Sequence, residues 1–185
     1  HAKNLGIKTI EYNISDIVTS FKEVSNHYSS NASEGNLHSR VRMSLLYGEA
    51  FSSKCLVIGT SNKSELLVGY YTKWGDGASD FLPIGDLYKT QVYEISKQLE
   101  VPSEIMDRPP TAELWEGQTD ELELGIDYAT LDKILLGLER QISKKALSSK
   151  SGIGVDLIEK IEKLIKLSIH KRVFPPVCKI GRRTV

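Results

Sequence analysis

The feature that most constrains this chain is a short apolar run that ends in a Gly-Thr pair. The run Cys55–Ile58 is followed by Gly59 and Thr60, and a polar segment then extends to Asp80. This pattern is typical of a buried parallel strand at its carboxyl end, where open α/β sheets bind ligands. The polar segment favours a metal and phosphate site over a plain surface turn because it gathers Glu65, Lys73, Asp76 and Asp80.

Charge balance and hydropathy exclude several classes of protein. The 185 residues are enough for one domain with a sizeable core, and 24 Lys and Arg residues balance 24 Asp and Glu residues. Zero net charge argues against a general nucleic-acid or membrane-surface binder. No apolar run approaches the roughly 20 residues that span a membrane. Cys55 is expected in the core, far in sequence from Cys178, so we predict a reduced, cytoplasmic protein without a disulfide framework.

Apolar periodicity and turn signals divide the chain into strands, helices and loops. Strands are expected at Lys8–Tyr12 and Lys54–Gly59. The expected helices are Asn36–Phe51, Ser64–Gly69, one from an N-cap at Asp86 to Leu99, one along Leu131–Ile142, and Asp156–Lys171. The remaining segments are interpreted as a mobile loop at Ser25–Gly35, an acidic, lid-like loop at Thr111–Gly125 and a linker at Ser148–Gly154.

The order of these elements predicts the fold class. Few strands, several helices and a polar crevice after a strand favour an α/β three-layer sandwich, with helices on both faces of a parallel sheet. Two strands do not form a stable parallel sheet, and the first residues resemble the tail of a helix. We therefore expect residues 1–185 to form a single domain whose first strands precede His1.

Residues of the polar segment allow both a structural and a chemical interpretation. Glu65 is either a first-turn glutamate that suits the helix dipole or an oxygen ligand for Mg²⁺, which binds one or two carboxylates together with substrate phosphates. Spacing alone does not decide between the two. Asp76 and Asp80 flank small residues and, taken alone, are explained by a solvated Asp-Gly turn. Tyr70, Tyr71 and Trp74 suit the core, and one of them suits stacking on a heteroaromatic ring instead.

Three later positions have the same two interpretations. Lys89 lies in the first turn of a helix, where a cation opposes the helix dipole and a bound phosphate would compensate for it. Thr111 follows Pro109-Pro110 and is either a helix cap or a hydroxyl donor to phosphate. His170–Arg172 closes a helix, where positive charge is favourable without any ligand.

Several separate blocks, in one order, resemble a known family. They are Asn36–Tyr47 (NLHSRVRMSLLY), Gly59–Val92, Pro109–Asp132 and His170–Arg172 (HKR), and they cover most of the chain from Asn36 onward. In these blocks the chain resembles the ammonia-dependent NAD synthetases, members of the ATP-pyrophosphatase group of adenylating enzymes. Several blocks in the right order are far more specific than one short motif.

The resemblance implies a two-step reaction and an adenine nucleotide alpha hydrolase-like fold. ATP adenylates the nicotinate carboxylate of deamido-NAD and pyrophosphate leaves; ammonia then displaces AMP to give NAD. Mg²⁺ and cations would offset the charge of the triphosphate during the displacement. The implied cofactor is Mg²⁺, with ATP as cosubstrate, and the implied assembly is a homodimer.

The resemblance also assigns roles to individual residues. Glu65 corresponds to a Mg²⁺ ligand, and Asp76 to the carboxylate beside the ammonium site. Thr60, Lys89 and Thr111 correspond to residues at the ATP phosphates, and the implied catalytic residues are Asp76, Lys89 and Thr111. The implied deamido-NAD site, part of it on a helix at the dimer interface, comprises Asn36, Arg40, Arg42, Tyr47, Tyr70, Lys73, Asp76, Asp80, His170 and Lys171.

One part of the family pattern, the glycine-rich SGGxDS loop that cradles pyrophosphate, is absent from the sequence. We therefore expect the chain to begin after that loop and the isolated 185 residues to be inactive. Two alternatives remain: the synthetase module of a glutamine-dependent enzyme, and a non-catalytic nucleotide-binding relative. The second is disfavoured because a scaffold needs none of the polar residues Thr60, Glu65, Asp76, Lys89 and Thr111.

Overall fold

The computed structural model describes residues 2–181, and its regular elements are helical. A 3₁₀ turn, Asn26–Tyr28, lies between the first two helices. Within residues 2–181, no helix combines the length and apolar character that a membrane span requires. The helices are α1 (Ser15–Val24), α2 (Asn31–Ser53), α3 (Lys63–Val68), α4 (Lys89–Gln98), α5 (Ser103–Met106), α6 (Asp120–Leu124), α7 (Tyr128–Glu139), α8 (Lys144–Ser151), α9 (Val155–Leu167) and α10 (Ile169–Arg172).

The main core lies where α7 packs against α3, α8 and α9. Leu131 and Ile134 on α7 and Ile158 on α9 are 0% exposed, and each such side chain contributes roughly 1.5–3 kcal/mol by leaving water. Gly137 allows α8 to approach closely, because a Cβ atom there would lie 2.6 Å from the Leu147 side chain. The apolar stripe predicted along Leu131–Ile142 therefore forms the centre of the molecule.

A smaller core joins α1 to α2. Val18 packs with Leu37 and Val41, which the sequence predicts on one face of a helix. The helix α2 begins earlier than predicted because Ser30 and Ser33 form a reciprocal capping arrangement at its start. The prediction of a loop at Ser25–Gly35 is therefore wrong for its second half, because the residues from Asn31 onward are helical.

The predicted strands are not formed in the described residues. Residues 7–14, which include the predicted strand Lys8–Tyr12, have no regular structure. At Lys54–Gly59, the backbone makes a single parallel bridge, between Ile58 and Phe81. A parallel sheet is thus not observed within residues 2–181, although the bridge has the predicted parallel direction.

The prediction that Cys55 is a core residue is wrong. Both Cys55 and its neighbour Leu56 are exposed, and so is Ile58. Only Val57 of the apolar run is buried. The physical reason is that no described segment packs against the face of this run that carries Leu56 and Ile58. Only the opposite face, which carries Val57, is covered.

Several predicted boundaries also shift. The helix α4 begins at Lys89 rather than after Asp86, and the predicted linker Ser148–Gly154 is mostly part of α8. Ser143 caps the start of α8, and Gly152 ends it with a φ of 73°. The single helix predicted at Asp156–Lys171 is divided into α9 and α10.

Candidate active site

Two adjoining cavities are lined by residues that precede and follow α3, one of them together with α2 and the other together with α4. The aromatic cavity, about 530 Å³ in volume, has Tyr71 and Trp115 in its wall. The acidic cavity, about 470 Å³ in volume, lies beside α4 and the Pro109-Pro110 segment. Both cavities are lined by Thr60, Tyr70 and Asp76, so the two spaces meet at these residues.

The structure brings most of the predicted site residues to these cavities and leaves the others outside. The predicted residues that line the aromatic cavity are Asn36, Arg42, Thr60, Tyr70, Asp76 and Lys171. Those that line the acidic cavity are Thr60, Glu65, Tyr70, Asp76, Lys89 and Thr111. Those that line neither cavity are Arg40, Tyr47, Lys73, Asp80 and His170.

Glu65 is held by its own helix and by Lys89. Asn62 caps α3: its Oδ1 accepts from the Glu65 backbone N–H at 3.1 Å, while Glu65 Oε2 accepts from the Asn62 N–H at 3.0 Å. Glu65 Oε1 accepts from Lys89 Nζ at 3.0 Å, and both side chains are largely buried. The capping box fixes the carboxylate in space, so one oxygen is structural and the other points to the lysine.

Thr60 and Thr111 line the acidic cavity from two separate segments of the chain. Thr60 follows Gly59, whose backbone N–H donates to Phe81 O at 2.8 Å and anchors the turn. Thr111 Oγ1 accepts from the Glu113 N–H at 3.1 Å, which closes a local turn after the two prolines. The alternative of Thr111 as a helix cap is not observed, because no helix begins there.

Asp76 is oriented by α2. Its Oδ1 accepts from Ser39 Oγ at 2.6 Å and from the Thr72 N–H at 3.0 Å, and the Asp76 N–H donates to Ser39 Oγ at 2.9 Å. Gly75 permits this approach, since a Cβ atom there would lie 2.4 Å from Ser39 Oγ. Asp76 thus keeps one carboxylate oxygen for a ligand at the junction of the two cavities.

Asp120 is a site residue that sequence reasoning missed. It is 5% exposed, and its Oδ2 accepts from Tyr128 Oη at 2.9 Å. Its Oδ1 is the one buried side-chain polar atom of residues 2–181 without a hydrogen-bond partner. Burial raises the pKa of Asp120, while the Tyr128 bond and then the charge of Lys89 oppose the shift and Glu65 adds to it. The segment Thr111–Gly125, which contains Asp120, is acidic in the sequence. No pattern within it predicts that Asp120 is buried against Tyr128.

Tyr70 links the acidic segment Thr111–Gly125 to the cavities. Its hydroxyl donates to Glu123, which also accepts from Gln118 Nε2 at 2.8 Å. Burial, and then this bond to Glu123, raise the pKa of Tyr70. The predicted acidic loop therefore lies against the site and includes a short helix, α6.

The C-terminal helix supports the backbone around Tyr70. Lys171 Nζ donates to Gly69 O and Tyr71 O, each at 2.6 Å, and lies 5.2 Å from the centre of the Tyr71 ring. Burial lowers the pKa of Lys171, while the negative charge of Asp76 acts in the opposite direction. Lys171 therefore already has two backbone partners where it lines the aromatic cavity.

Arg172 shows that part of the HKR block has a structural role. Its guanidinium donates to Leu67 O at 2.6 Å and to Ile165 O at 2.8 Å. These carbonyls lie near the carboxyl ends of α3 and α9, where a cation is favourable. His170 contributes its backbone oxygen, which accepts from Lys73 Nζ at 2.7 Å.

The remaining predicted residues form a polar group beside α2. Arg40 donates to Lys73 O at 3.4 Å. Tyr47 Oη donates to Asp80 Oδ1 at 3.4 Å, and the Val57 N–H donates to Asp80 Oδ2 at 2.8 Å. Arg40 and Asp80 are exposed, so this group continues the site onto the surface of the described chain.

The donor set of the acidic cavity fits Mg²⁺ only in part. Within residues 2–181, no group of three or more His, Cys, Asp or Glu side chains could hold a metal ion. Glu65 offers one hard oxygen atom, now bonded to Lys89. Mg²⁺ commonly binds one or two carboxylates and completes its octahedron with water and substrate phosphates. Glu65, with Asp76 as a second carboxylate in the same cavity, therefore suits a metal that arrives with ATP.

Comparison with known proteins identifies the family. The model of the NAD synthase family matches residues 1–175. The chain belongs to this family. It is 50% identical over 175 residues to an NH(3)-dependent NAD(+) synthetase of Pyrococcus horikoshii, which covers 94% of this chain and 68% of that relative. A Thermococcus sibiricus protein of the same name is 49% identical over 93% of this chain and 68% of its own length.

Two solved structures have a similar backbone arrangement. The NMN synthetase of Francisella tularensis superposes with a TM-score of 0.82 at 37% identity, over 97% of this chain and 70% of that protein. The NH3-dependent NAD synthetase of Campylobacter jejuni gives a TM-score of 0.79 at 30% identity, over 96% and 68%. The helices described above therefore follow the NAD synthetase fold.

Proposed function

We propose that this NAD synthase family member catalyses the ATP-dependent amidation of deamido-NAD with ammonia, giving NAD, AMP and pyrophosphate. The observation that carries the proposal is the junction of the two cavities at Thr60, Tyr70 and Asp76. In such a reaction the carboxylate of the dinucleotide must meet the α-phosphate of ATP. The two substrates therefore need adjoining sites that share a junction. The names of the relatives support the same activity.

We assign the acidic cavity to ATP. Lys89 would neutralise phosphate charge, and the hydroxyl groups of Thr60 and Thr111 would donate to phosphate oxygens. Glu65 would hold Mg²⁺, and the metal would stabilise charge on the leaving pyrophosphate. Binding of a cation at Glu65 Oε1 would release Lys89 toward the phosphates, because the two now share that bond.

We assign the aromatic cavity to the dinucleotide. Tyr70 and Tyr71 offer ring faces to the pyridine, and Asn36 and Arg42 approach from α2. The dinucleotide would extend past Arg42 to the polar group formed by Arg40, Tyr47, Lys73 and Asp80. His170 would lie beside Lys73, which bonds its backbone oxygen, and Lys171 would contact the ligand from the wall of the aromatic cavity. A homodimer through α2 would enclose this outer part.

Asp76 would serve the second step. Ammonium must lose a proton before its nitrogen can attack, and Asp76 has one oxygen oriented by Ser39 and a second oxygen that is free to accept a proton or a hydrogen bond. Its location at the junction brings the base to the adenylated carbon. The nitrogen attacks the acyl carbon, the carbon–oxygen bond to AMP breaks, and the amide remains.

The finer features of the fold and setting belong to the same proposal. The parallel bridge at Ile58 and the exposed apolar side chains of Leu56 and Phe81 suit a parallel sheet flanked by helices. A water-filled cytoplasmic location suits the nucleotide substrates.

A mononucleotide substrate is the second candidate. It is favoured by the TM-score to the NMN synthetase of Francisella tularensis. The difference from the first candidate is confined to the adenylate half of the substrate, since the reacting nicotinate carboxylate is the same.

One substrate matrix tests these candidates. The full-length protein is incubated with ATP and Mg²⁺, with either deamido-NAD or nicotinate mononucleotide, and with either ammonium or glutamine. NAD from deamido-NAD and ammonium, but not from glutamine, is the expected result. Preference for the mononucleotide would favour the second candidate, and NAD from glutamine would assign the chain to a glutamine-dependent enzyme. If no pair of substrates gives either AMP or an amide product, an enzymatic role is refuted.

A further inference from the structure

A buried carboxylate on α7 binds the first turns of two other helices. Asp132 is 6% exposed. Its Oδ2 accepts from the Thr90 N–H at 2.9 Å and from Thr90 Oγ1 at 2.8 Å, both in the first turn of α4. Its Oδ1 accepts from Ser64 Oγ, in the first turn of α3, at 2.5 Å. A single side chain therefore connects α3, α4 and α7.

Ser64 extends the connection to Lys89. Ser64 is 0% exposed, and its Oγ accepts from the Lys89 N–H at 2.9 Å while it donates to Asp132. The first N–H groups of a helix have no partner within the helix. In α4, those of Lys89 and Thr90 are satisfied from α3 and α7, so the start of α4 depends on side chains of other elements.

The connected residues are the immediate neighbours of the charged pair in the acidic cavity. Ser64 precedes Glu65, and Thr90 follows Lys89. Asp132 therefore contacts one residue next to each partner of the Lys89–Glu65 pair, although it does not line the cavity itself. A change at Asp132 would alter the distance and direction between the two side chains proposed to hold the phosphates and Mg²⁺.

We propose that Asp132 is a positioning residue for ATP, which acts by fixing the starts of α3 and α4 and, through them, Glu65 and Lys89. The inference rests on the proposed function, because it takes the acidic cavity as the ATP site. A displacement of about 1 Å at a reacting group lowers rates by up to roughly 10²-fold. A positioning role therefore predicts that a change at Asp132 lowers ATP binding and kcat/KM for ATP in a protein that still folds.

The main test is Asp132→Asn in the full-length protein. An amide keeps one acceptor oxygen and replaces the other with a donor, so it cannot accept from both Ser64 and Thr90. We expect kcat/KM for ATP to fall by roughly 10- to 10²-fold, while KM for ammonium stays unchanged. Calorimetric titration with ATP should show the weaker binding directly, and circular dichroism and the Tm report folding.

Glu139→Gln is the matched control. Glu139 also lies on α7, and its carboxylate accepts from Tyr88 Oη at 2.8 Å and from Lys63 Nζ at 2.6 Å. Glu139 therefore bonds only the side-chain ends of Tyr88 and Lys63, whereas Asp132 also accepts from a backbone N–H in the first turn of α4. This variant should lower the Tm and leave ATP affinity at the parental value.

A second pair of variants covers the case in which Asp132→Asn does not fold. Thr90→Val removes one of the three bonds to Asp132, and Thr90→Ser keeps it. Thr90→Val should weaken ATP binding and Thr90→Ser should restore it. In a Lys89→Met background, the effect of Thr90→Val on ATP binding should disappear, because the lysine that it positions is gone.

Two results would overturn the inference in distinguishable ways. If the parental protein makes NAD but both Asp132→Asn and Thr90→Val bind ATP normally and only lose thermal stability, Asp132 is structural and the proposed function is untouched. If the parental protein neither binds ATP nor makes NAD, the proposed function fails, and the positioning role fails with it.

Discussion

Lys89 Nζ and Glu65 Oε1 lie 3.0 Å apart in the wall of the acidic cavity. This pair compensates for two unfavourable features of the site, the lysine in the first turn of α4 and the burial of the Glu65 carboxylate. Each side chain compensates for the charge of the other, so the protein can keep both groups ready for a polyphosphate and its metal ion.

Glu65→Gln is expected to weaken the response to Mg²⁺. The amide retains the shape of the side chain, and its oxygen can still accept from Asn62, but the negative charge is lost. We expect kcat/KM for ATP to fall by roughly 10²-fold, the size of effect seen when one charge-stabilising group is removed, with partial recovery at high Mg²⁺. Steady-state rates across a Mg²⁺ titration measure this. The exposed Glu94→Gln, on α4, serves as control, and an unchanged Mg²⁺ dependence in Glu65→Gln would exclude the assigned role.

Asp76→Asn should impair amide formation more than adenylation. The substitution keeps a side chain that can bond to Ser39 but removes the proton acceptor, so pyrophosphate should still appear in a first turnover while NAD forms slowly. Rapid-quench measurements of pyrophosphate and NAD separate the two steps. Asp86→Asn is a suitable control because Asp86 is almost fully exposed. Parental NAD formation by Asp76→Asn would show that another group accepts the proton.

The sequence predicted features that depend on local patterns. The stripe through Leu131 and Ile134 was expected in the core because helical periodicity is local, and the structure confirms it. Glu65 was expected in the first turn of a helix, and it is the third residue of α3, where it forms a capping box with Asn62. The assigned ligand roles of the site residues stay predictions, although the structure brings Glu65, Lys89 and Thr111 into one cavity.

Where burial depends on residues that are distant in sequence, the predictions were wrong or the residue was missed. Cys55 was expected in the core because an apolar run favours burial, but burial needs a covering segment, and none is present in the described range. Asp132 and Asp120 occur at polar positions that look like ordinary surface residues. Asp132 is buried where α7 packs against α3 and α4, and Asp120 is buried beside Tyr128. A linear pattern reveals neither arrangement.

Tyr128→Phe should destabilise the protein because it leaves both oxygens of buried Asp120 without a donor. A lost partner of a buried group costs about 1–3 kcal/mol, measured as the free energy of unfolding in urea near neutral pH. The exposed Tyr12→Phe, which also loses a bond to a carboxylate, should show no measurable change.

The same variant should show a defined pH dependence. Burial raises the pKa of Asp120 in the folded state, so the folded protein binds this proton more tightly than the unfolded chain does. Stability associated with Asp120 is therefore greatest in acid and is lost as the pH rises through the folded pKa. The Tyr128 bond opposes this shift because it stabilises the ionised carboxylate. The deficit of Tyr128→Phe should therefore shrink as the pH falls through the folded pKa of Asp120, and a deficit that grows in acid would contradict this.

Asp127 should stabilise α7 with the opposite pH dependence. Its carboxylate accepts from the Thr130 N–H at 2.8 Å, and this bond lowers the pKa of Asp127. Asp127→Ala should cost about 1 kcal/mol near neutral pH. The cost should disappear as the pH falls through the folded pKa, because the stabilisation requires the ionised form. Asp127→Asn keeps a cap but also lacks the titrating group, so its stability relative to the parental protein should change with pH as that of Asp127→Ala does, with a smaller cost near neutral pH. A cost of Asp127→Ala that does not change with pH would exclude the charge as the cause.

Transfer of oxygen from the nicotinate carboxylate to AMP tests the proposed chemistry most directly. Deamido-NAD labelled with oxygen-18 in that carboxylate is given to the full-length protein with ATP, Mg²⁺ and ammonium, and AMP is analysed by mass spectrometry. Adenylation at the carboxylate predicts that each AMP carries a single labelled oxygen, with unlabelled pyrophosphate and equimolar NAD. Unlabelled AMP, or ADP and phosphate as products, would contradict an adenylated intermediate at the junction of the two cavities.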